Sequence, residues 1–234
     1  MNDQNEKLNM TGLDPAANKV KRKEALRERC EEYRIKLKER NPQEVARLAA
    51  VSIEPGSDNN FVLSGEHLQK AFRIYWPSLS ITDQQGNPAS LNEELLWLHY
   101  LERADGHPLA GRWVNLSEIG GLFYQQAFQG YCGDELAELW GADLAGLKKA
   151  CLATGGWPLN NLGDLAFEWR VLPRLPLCLC YRAPSGSASA WATMLFDAAA
   201  SHYVAADVAA IVGKDLADKI MGKGLEEKMI LRDL

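Results

Sequence analysis

"DLAFEWRVLPRLPLCLCYRAPSGSASAWATMLF", residues 164–196, decides the fold class, because three strand signatures stand in it with only turn residues between them. Over residues 164–172, Leu165, Phe167, Trp169 and Val171 alternate with Ala166, Glu168 and Arg170. Successive side chains on a strand point to opposite faces, so this spacing predicts a half-buried strand with one apolar face. "PLCLCYR", residues 176–182, is apolar on both faces, as a central strand is. "PSGSAS", residues 184–189, reads as a flexible turn, and residues 191–196 return as a third strand.

A second cluster of strand signals lies upstream, at about residues 51–82. Residues 61–63, a Ser64-Gly65 turn, and an alternating Phe72, Ile74 and Trp76 predict an antiparallel hairpin. A further short strand at 79–82 ends at the "DQQGNP" turn, residues 83–88. Helical spacing fills the rest. Leu26, Cys30, Tyr33 and Leu37 mark a helix over 19–40, and Asn41-Pro42 ends it and opens another. Ser90 and Glu93 form a capping box for a helix to about residue 103. Further helices are predicted over 134–154, stopped by Gly155-Gly156, and over 205–213 with an extension to 221; "GLEEKMILRDL", residues 224–234, adds a turn or two. Two strand clusters, each adjoined by helices and without regular βαβ alternation, predict an α+β fold with mostly antiparallel sheet. The organisation expected is a disordered tail over residues 1–18, N-terminal helices over 19–50, and one compact α+β globular domain over 51–234.

Composition limits the function classes. The 234 residues are 47% hydrophobic and 24% charged, and the apolar runs are far shorter than the roughly 20 residues a membrane helix needs. No apolar segment follows a basic start at the N-terminus, which predicts a cytoplasmic protein with no membrane partner. Of 26 Lys and Arg, 11 fall in residues 1–40 with 8 of the 31 Asp and Glu, leaving 15 against 23 in the remainder. An acidic body argues against nucleic acid as the partner. Cys30, Cys132, Cys151, Cys178 and Cys180 show no paired CxxC spacing, so neither a disulfide framework nor an intrinsic iron-sulfur cluster is expected.

Candidate chemistry gathers in two places. In "LFDAAASHYVAADVAAIV", residues 195–212, His202 stands between Ser201 and Tyr203 where a strand gives way to a helix. A histidine there can exchange a proton, hydrogen-bond a ligand, or serve as an axial metal ligand, and Asp197 is the candidate to orient it. A capping histidine and a backbone-anchoring aspartate remain the alternatives. Residues 106–133 form the longest weakly periodic segment, with a short strand at 112–115. Its Arg112, Trp113, Phe123, Tyr124 and Gln125 combine aromatic surfaces with groups that read carboxylates and amide edges, as flat conjugated ligands require. A loop whose aromatics plug the end of a sheet is the competing reading. The glycines match no phosphate-binding pattern, and His67, His99 and His107 form no zinc-binding spacing.

At "GRWVNLSEIGGLFYQQAFQGY" (111–131), "LLWLHYL" (95–101), "LPRLPLCLCYRAP" (172–184) and "LFDAAASHYVAADVAAIVG" (195–213), the chain resembles a bacterial and archaeal family catalogued as domain of unknown function 3786. The resemblance runs from about residue 30 to 213. It implies a setting in anaerobes, in cofactor or one-carbon metabolism. Some members look fused to a cysteine-rich iron-sulfur module, which this chain lacks. Residues and resemblance together lead to three readings. The first is a cytoplasmic binding module for a flat conjugated cofactor or metabolite of the tetrapyrrole (haem), corrinoid, pterin or flavin class, acting with a partner protein. Its ligand surface would be Arg112, Trp113, Phe123, Tyr124, Gln125, His202 and Tyr203. The second is an enzyme using His202 as acid or base with Asp197 orienting it. The third is a scaffold that docks a protein partner through the amphipathic helix of residues 19–40.

Overall fold

The computed structural model describes residues 15–57, 60–120 and 122–223. Its centre is the strand expected there. β8 (Leu175–Arg182) is flanked by β7 (Leu165–Leu172) and β9 (Trp191–Asp197), and the sheet is completed by β5 (Trp113–Val114) beside β9 and β6 (Trp157–Leu159) beside β7. Every pairing is antiparallel. Residues in register share a face, so Phe167, Trp169, Leu177, Leu179, Tyr181, Met194 and Phe196 form one apolar wall, and all are buried. Burial of each such side chain contributes about 1.5–3 kcal/mol. The second sheet is a meander of β1 (Ser52–Pro55), β2 (Phe61–His67), β3 (Lys70–Trp76) and β4 (Ser80–Asp83).

The Ser64-Gly65 turn expected in that meander does not form. β2 runs straight through it, and the chain reverses at Leu68 and Gln69, whose φ angles are 47° and 66°. Gly65 is a packing residue, because a Cβ there would lie 2.6 Å from the Trp97 ring. The strand therefore needs a glycine in its middle, where sequence reading takes glycine as punctuation.

Helices surround the sheets. α1 (Pro15–Lys38) starts within the span expected to be a tail, of which residues 1–14 lie outside the described residues, as do the terminal turns expected over 224–234. The Asn41 side chain accepts the Gln43 and Glu44 amides to cap α2 (Pro42–Ala49), and the Ser90–Glu93 capping box opens α3 (Leu91–Arg103). α7 (Ala206–Ile220) closes the fold. The weakly periodic segment is largely helical: a 3-10 turn (Leu116–Ile119), α4 (Gln125–Phe128) and a π-helical turn (Gln129–Asp134). The π turn shields β9 beyond the reach of the two-residue β5. Gln129 Nε2 donates to the Ala192 carbonyl at 2.8 Å, and a Cβ on Gly133 would sit 2.3 Å from that same oxygen. The single helix expected over 134–154 is two, α5 (Glu135–Trp140) and α6 (Leu144–Ala153). Gly141 breaks it at φ 47°, and Asp143 caps the second half through the Gly146 amide at 2.8 Å.

A register shift in β7 between Arg170 and Leu172 joins the sheets, since Val171 keeps a carbonyl free of the ladder. That oxygen accepts the Leu68 amide at 3.2 Å and lies 3.1 Å from His67 Nδ1, both at the tip of the first sheet. Tyr100 makes a second joint, donating to the Ala49 carbonyl at 2.7 Å and accepting the Arg174 amide at 3.0 Å. α1 lies along α3 with Leu26, Cys30 and Leu37 buried, and Arg34 forms an ion pair with Glu94. The apolar stripe offered to an outside partner is thus covered by the protein's own body. The architecture is α+β, one domain with mostly antiparallel sheet. Among the described residues no helix is long and apolar enough to cross a membrane.

Candidate functional site

β9 ends at Asp197, which is 3% exposed. Its carboxylate accepts three backbone amides: Ala110 at 2.9 Å, Gly111 at 2.7 Å and Ala199 at 2.8 Å. Hydrogen bonds to a charged acceptor are about twice as strong as neutral ones, so this side chain fixes the approach to β5 against the end of β9. The Ala198 amide adds a bond to the Arg112 carbonyl at 2.9 Å. The expected pairing of Asp197 with His202 is absent, because the aspartate is committed to the backbone.

His202 pairs instead with Asp105. It sits on a 3-10 turn (Ala200–His202), with Nδ1 2.6 Å from Asp105 Oδ2 and its side chain 36% exposed. The other oxygen of Asp105 accepts the His107 amide at 2.9 Å, so one carboxylate positions both histidines. Their rings stack with centroids 3.8 Å apart and planes within 3°. The hydrogen bond from His202 holds the Asp105 carboxyl below the usual carboxylate range. From beneath, Tyr203 donates its hydroxyl to the His107 carbonyl, Arg174 reaches the same oxygen at 3.4 Å, and Arg103 donates to the Ser201 carbonyl at 2.9 Å. His202 Nε2 has no hydrogen-bond partner among the described residues. A histidine whose Nδ1 is held by a carboxylate and whose Nε2 is free has the arrangement that metal-ligating histidines favour.

The remaining candidates divide. Tyr203 is fully buried, so it braces the corner from below and offers no surface to a ligand. Arg112 is exposed, 3.4 Å from Glu118, and Trp113 is half-buried opposite Asp197. Gln125 accepts the Ser117 amide at 3.1 Å, a local tie, and Tyr124 is half-buried against the core. Phe123 is 97% exposed and Leu122 77% exposed. The structure therefore gathers Arg112, Trp113 and His202 around the Asp197 anchor, while Phe123 and Tyr124 sit on the turn before α4 and Gln125 opens that helix. Asp105 went unread in the sequence, and His107 was read there only against zinc-binding spacing. Their signal is Asp-Gly-His directly after a helix, an aspartate placed to accept the amide two residues on.

Residues 41–219 match the family model described as Domain of unknown function (DUF3786). The chain belongs to that family. No curated protein and no solved structure matches it significantly. The DUF3786 span holds both sheets and the whole corner, Asp105, His107, Asp197 and His202 included, whereas α1 lies before it.

His99 and the five cysteines are sealed in the interior. His99 is 3% exposed; its Nε2 accepts the Ala205 amide at 3.0 Å, which leaves Nδ1–H to donate to the Tyr33 hydroxyl at 2.8 Å. Burial lowers its imidazole to about 4. The cysteines Cys30, Cys132, Cys151, Cys178 and Cys180 are all free and buried, and burial raises every one of these thiols. They are structural in character, since the reactive form of a thiol is the thiolate.

Proposed function

We propose that the protein is a binding module for a flat conjugated cofactor, with His202 as the side chain that meets it. The observation that carries the reading is the Asp105–His202 pair. A carboxylate fixes Nδ1, the second ring nitrogen has no hydrogen-bond partner among the described residues, and the ring remains partly exposed. That geometry suits an axial ligand to the metal of a haem or corrinoid. The exposed Arg112 is consistent with a molecule that carries carboxylates. Pterins and flavins would instead stack on the His107–His202 ring pair without a metal bond. The setting we propose, anaerobic metabolism alongside a partner protein, follows from the family resemblance.

Titration of the purified protein with haem, hydroxocobalamin, folate and flavin mononucleotide tests this. We expect a spectral change and a rise in melting temperature with at least one of the four, since a ligand that binds only the folded state stabilises it. Absence of both with all four overturns the reading.

A further inference from the structure

We propose a second ligand site, separate from the His202 corner, in the groove between the β8–β9 loop and the turn leading into β7. The groove is open to solvent, has a volume of about 790 Å³ and is lined by Gly163, Asp164, Arg182, Ser185, Ser189 and Trp191 among others. That volume lies in the range of small-molecule sites.

Three features define what it takes. Arg182, the last residue of β8, is exposed, and its side chain has no hydrogen bond or ion pair with any described residue. Its guanidinium presents a planar fork of donors that matches a carboxylate or phosphate. Trp191 is the register partner of Arg182, so the two side chains share a face of the sheet, and the indole is 45% exposed. A large aromatic left open beside an unpaired cation offers a platform for a flat ring. Asp164 accepts the Ala183 amide at 2.8 Å with Oδ2, while Oδ1 has no hydrogen bond among the described residues and is available to a hydroxyl or amino donor.

The walls are already formed. Ser185 and Ala188 exchange backbone hydrogen bonds of 3.1 and 3.0 Å, closing the loop around Gly186, and the Asp164–Ala183 bond ties the two sides of the groove together. The ligand class is therefore a compact molecule with a flat ring, one carboxylate or phosphate, and one hydroxyl or amino donor. Nucleoside monophosphates and pterin carboxylates both supply that chemistry. The ring would cover Trp191, the anion would meet Arg182, and the donor would meet Asp164.

Isothermal titration of the full chain with adenosine monophosphate, folate, adenosine and inorganic phosphate separates the sources. One of the two ring-bearing anions should bind at one per chain, with adenosine and phosphate at least tenfold weaker. Arg182→Gln and Trp191→Ala should each weaken binding tenfold or more, and both side chains are exposed enough that the melting temperature should hold. His202→Ala should leave this binding unchanged, so loss of the corner site and loss of the groove site are distinguishable. The proposal is overturned if neither ring-bearing anion saturates at millimolar concentration, if both groove variants bind as wild type does, or if His202→Ala abolishes the binding.

Discussion

Asp197 illustrates how one buried side chain can organise a corner without taking part in its chemistry. Three amides depend on its carboxylate. Of the three donors the Ala199 amide is buried, and a buried donor left without an acceptor costs about 1–3 kcal/mol, so Asp197→Ala should lower stability by roughly 2 kcal/mol or more in urea unfolding. A variant within 1 kcal/mol of wild type would contradict the anchor role. His99 gives a pH dependence of definite sign. An unfolded chain protonates this imidazole near pH 6.5, whereas the folded protein resists until about 4. Stability should therefore be lost as pH falls through that window, by on the order of 3 kcal/mol in full. Unfolding measured at pH 7.5 and pH 4.5 should show a smaller drop in His99→Gln than in wild type. At this scale His202 was legible from its place at a strand end, but its partner was not. Asp105 is 97 residues away in sequence, and only the folded chain brings the two together.

Among elements, those with strong periodicity or explicit caps were legible: α2 behind Asn41, α3 behind Ser90, and the three strands of residues 164–196. The failures have physical causes. Gly65 and Gly141 look alike in the sequence, yet one fits a ring and the other breaks a helix. Substitution separates the two roles. Gly65→Ala forces a methyl into the Trp97 ring and should cost about 1–3 kcal/mol through overpacking. Gly141→Ala meets open space and should cost about 1 kcal/mol or more, through its left-handed φ alone. Gly65→Ala should cost less when made in a Trp97→Leu background than in wild type, whereas the cost of Gly141→Ala should be the same in both. The π turn was not legible, because what holds it is tertiary: the Gln129 amide and the bare Gly133 backbone close on the Ala192 carbonyl.

For the whole molecule, the two sheets form one body through the Val171 carbonyl and Tyr100, and α1 belongs to that body. Deleting residues 1–38 uncovers the surface against which Leu26, Cys30 and Leu37 are buried, and should lower stability by on the order of 5 kcal/mol. A truncated chain that melts like wild type would show α1 to be a free appendage. The α+β class was legible because two clusters of alternating residues cannot bury their apolar faces without helices to cover them. The corner was legible only in outline, as a strand end with a histidine, since its geometry depends on residues 105–112 crossing to the end of β9. The most direct test of the account is the absorbance spectrum of the haem-titrated protein, recorded for wild type and for His202→Ala. Ligation through Nε2 predicts a shifted Soret band in wild type that is lost in the variant; the same spectrum in both would contradict it.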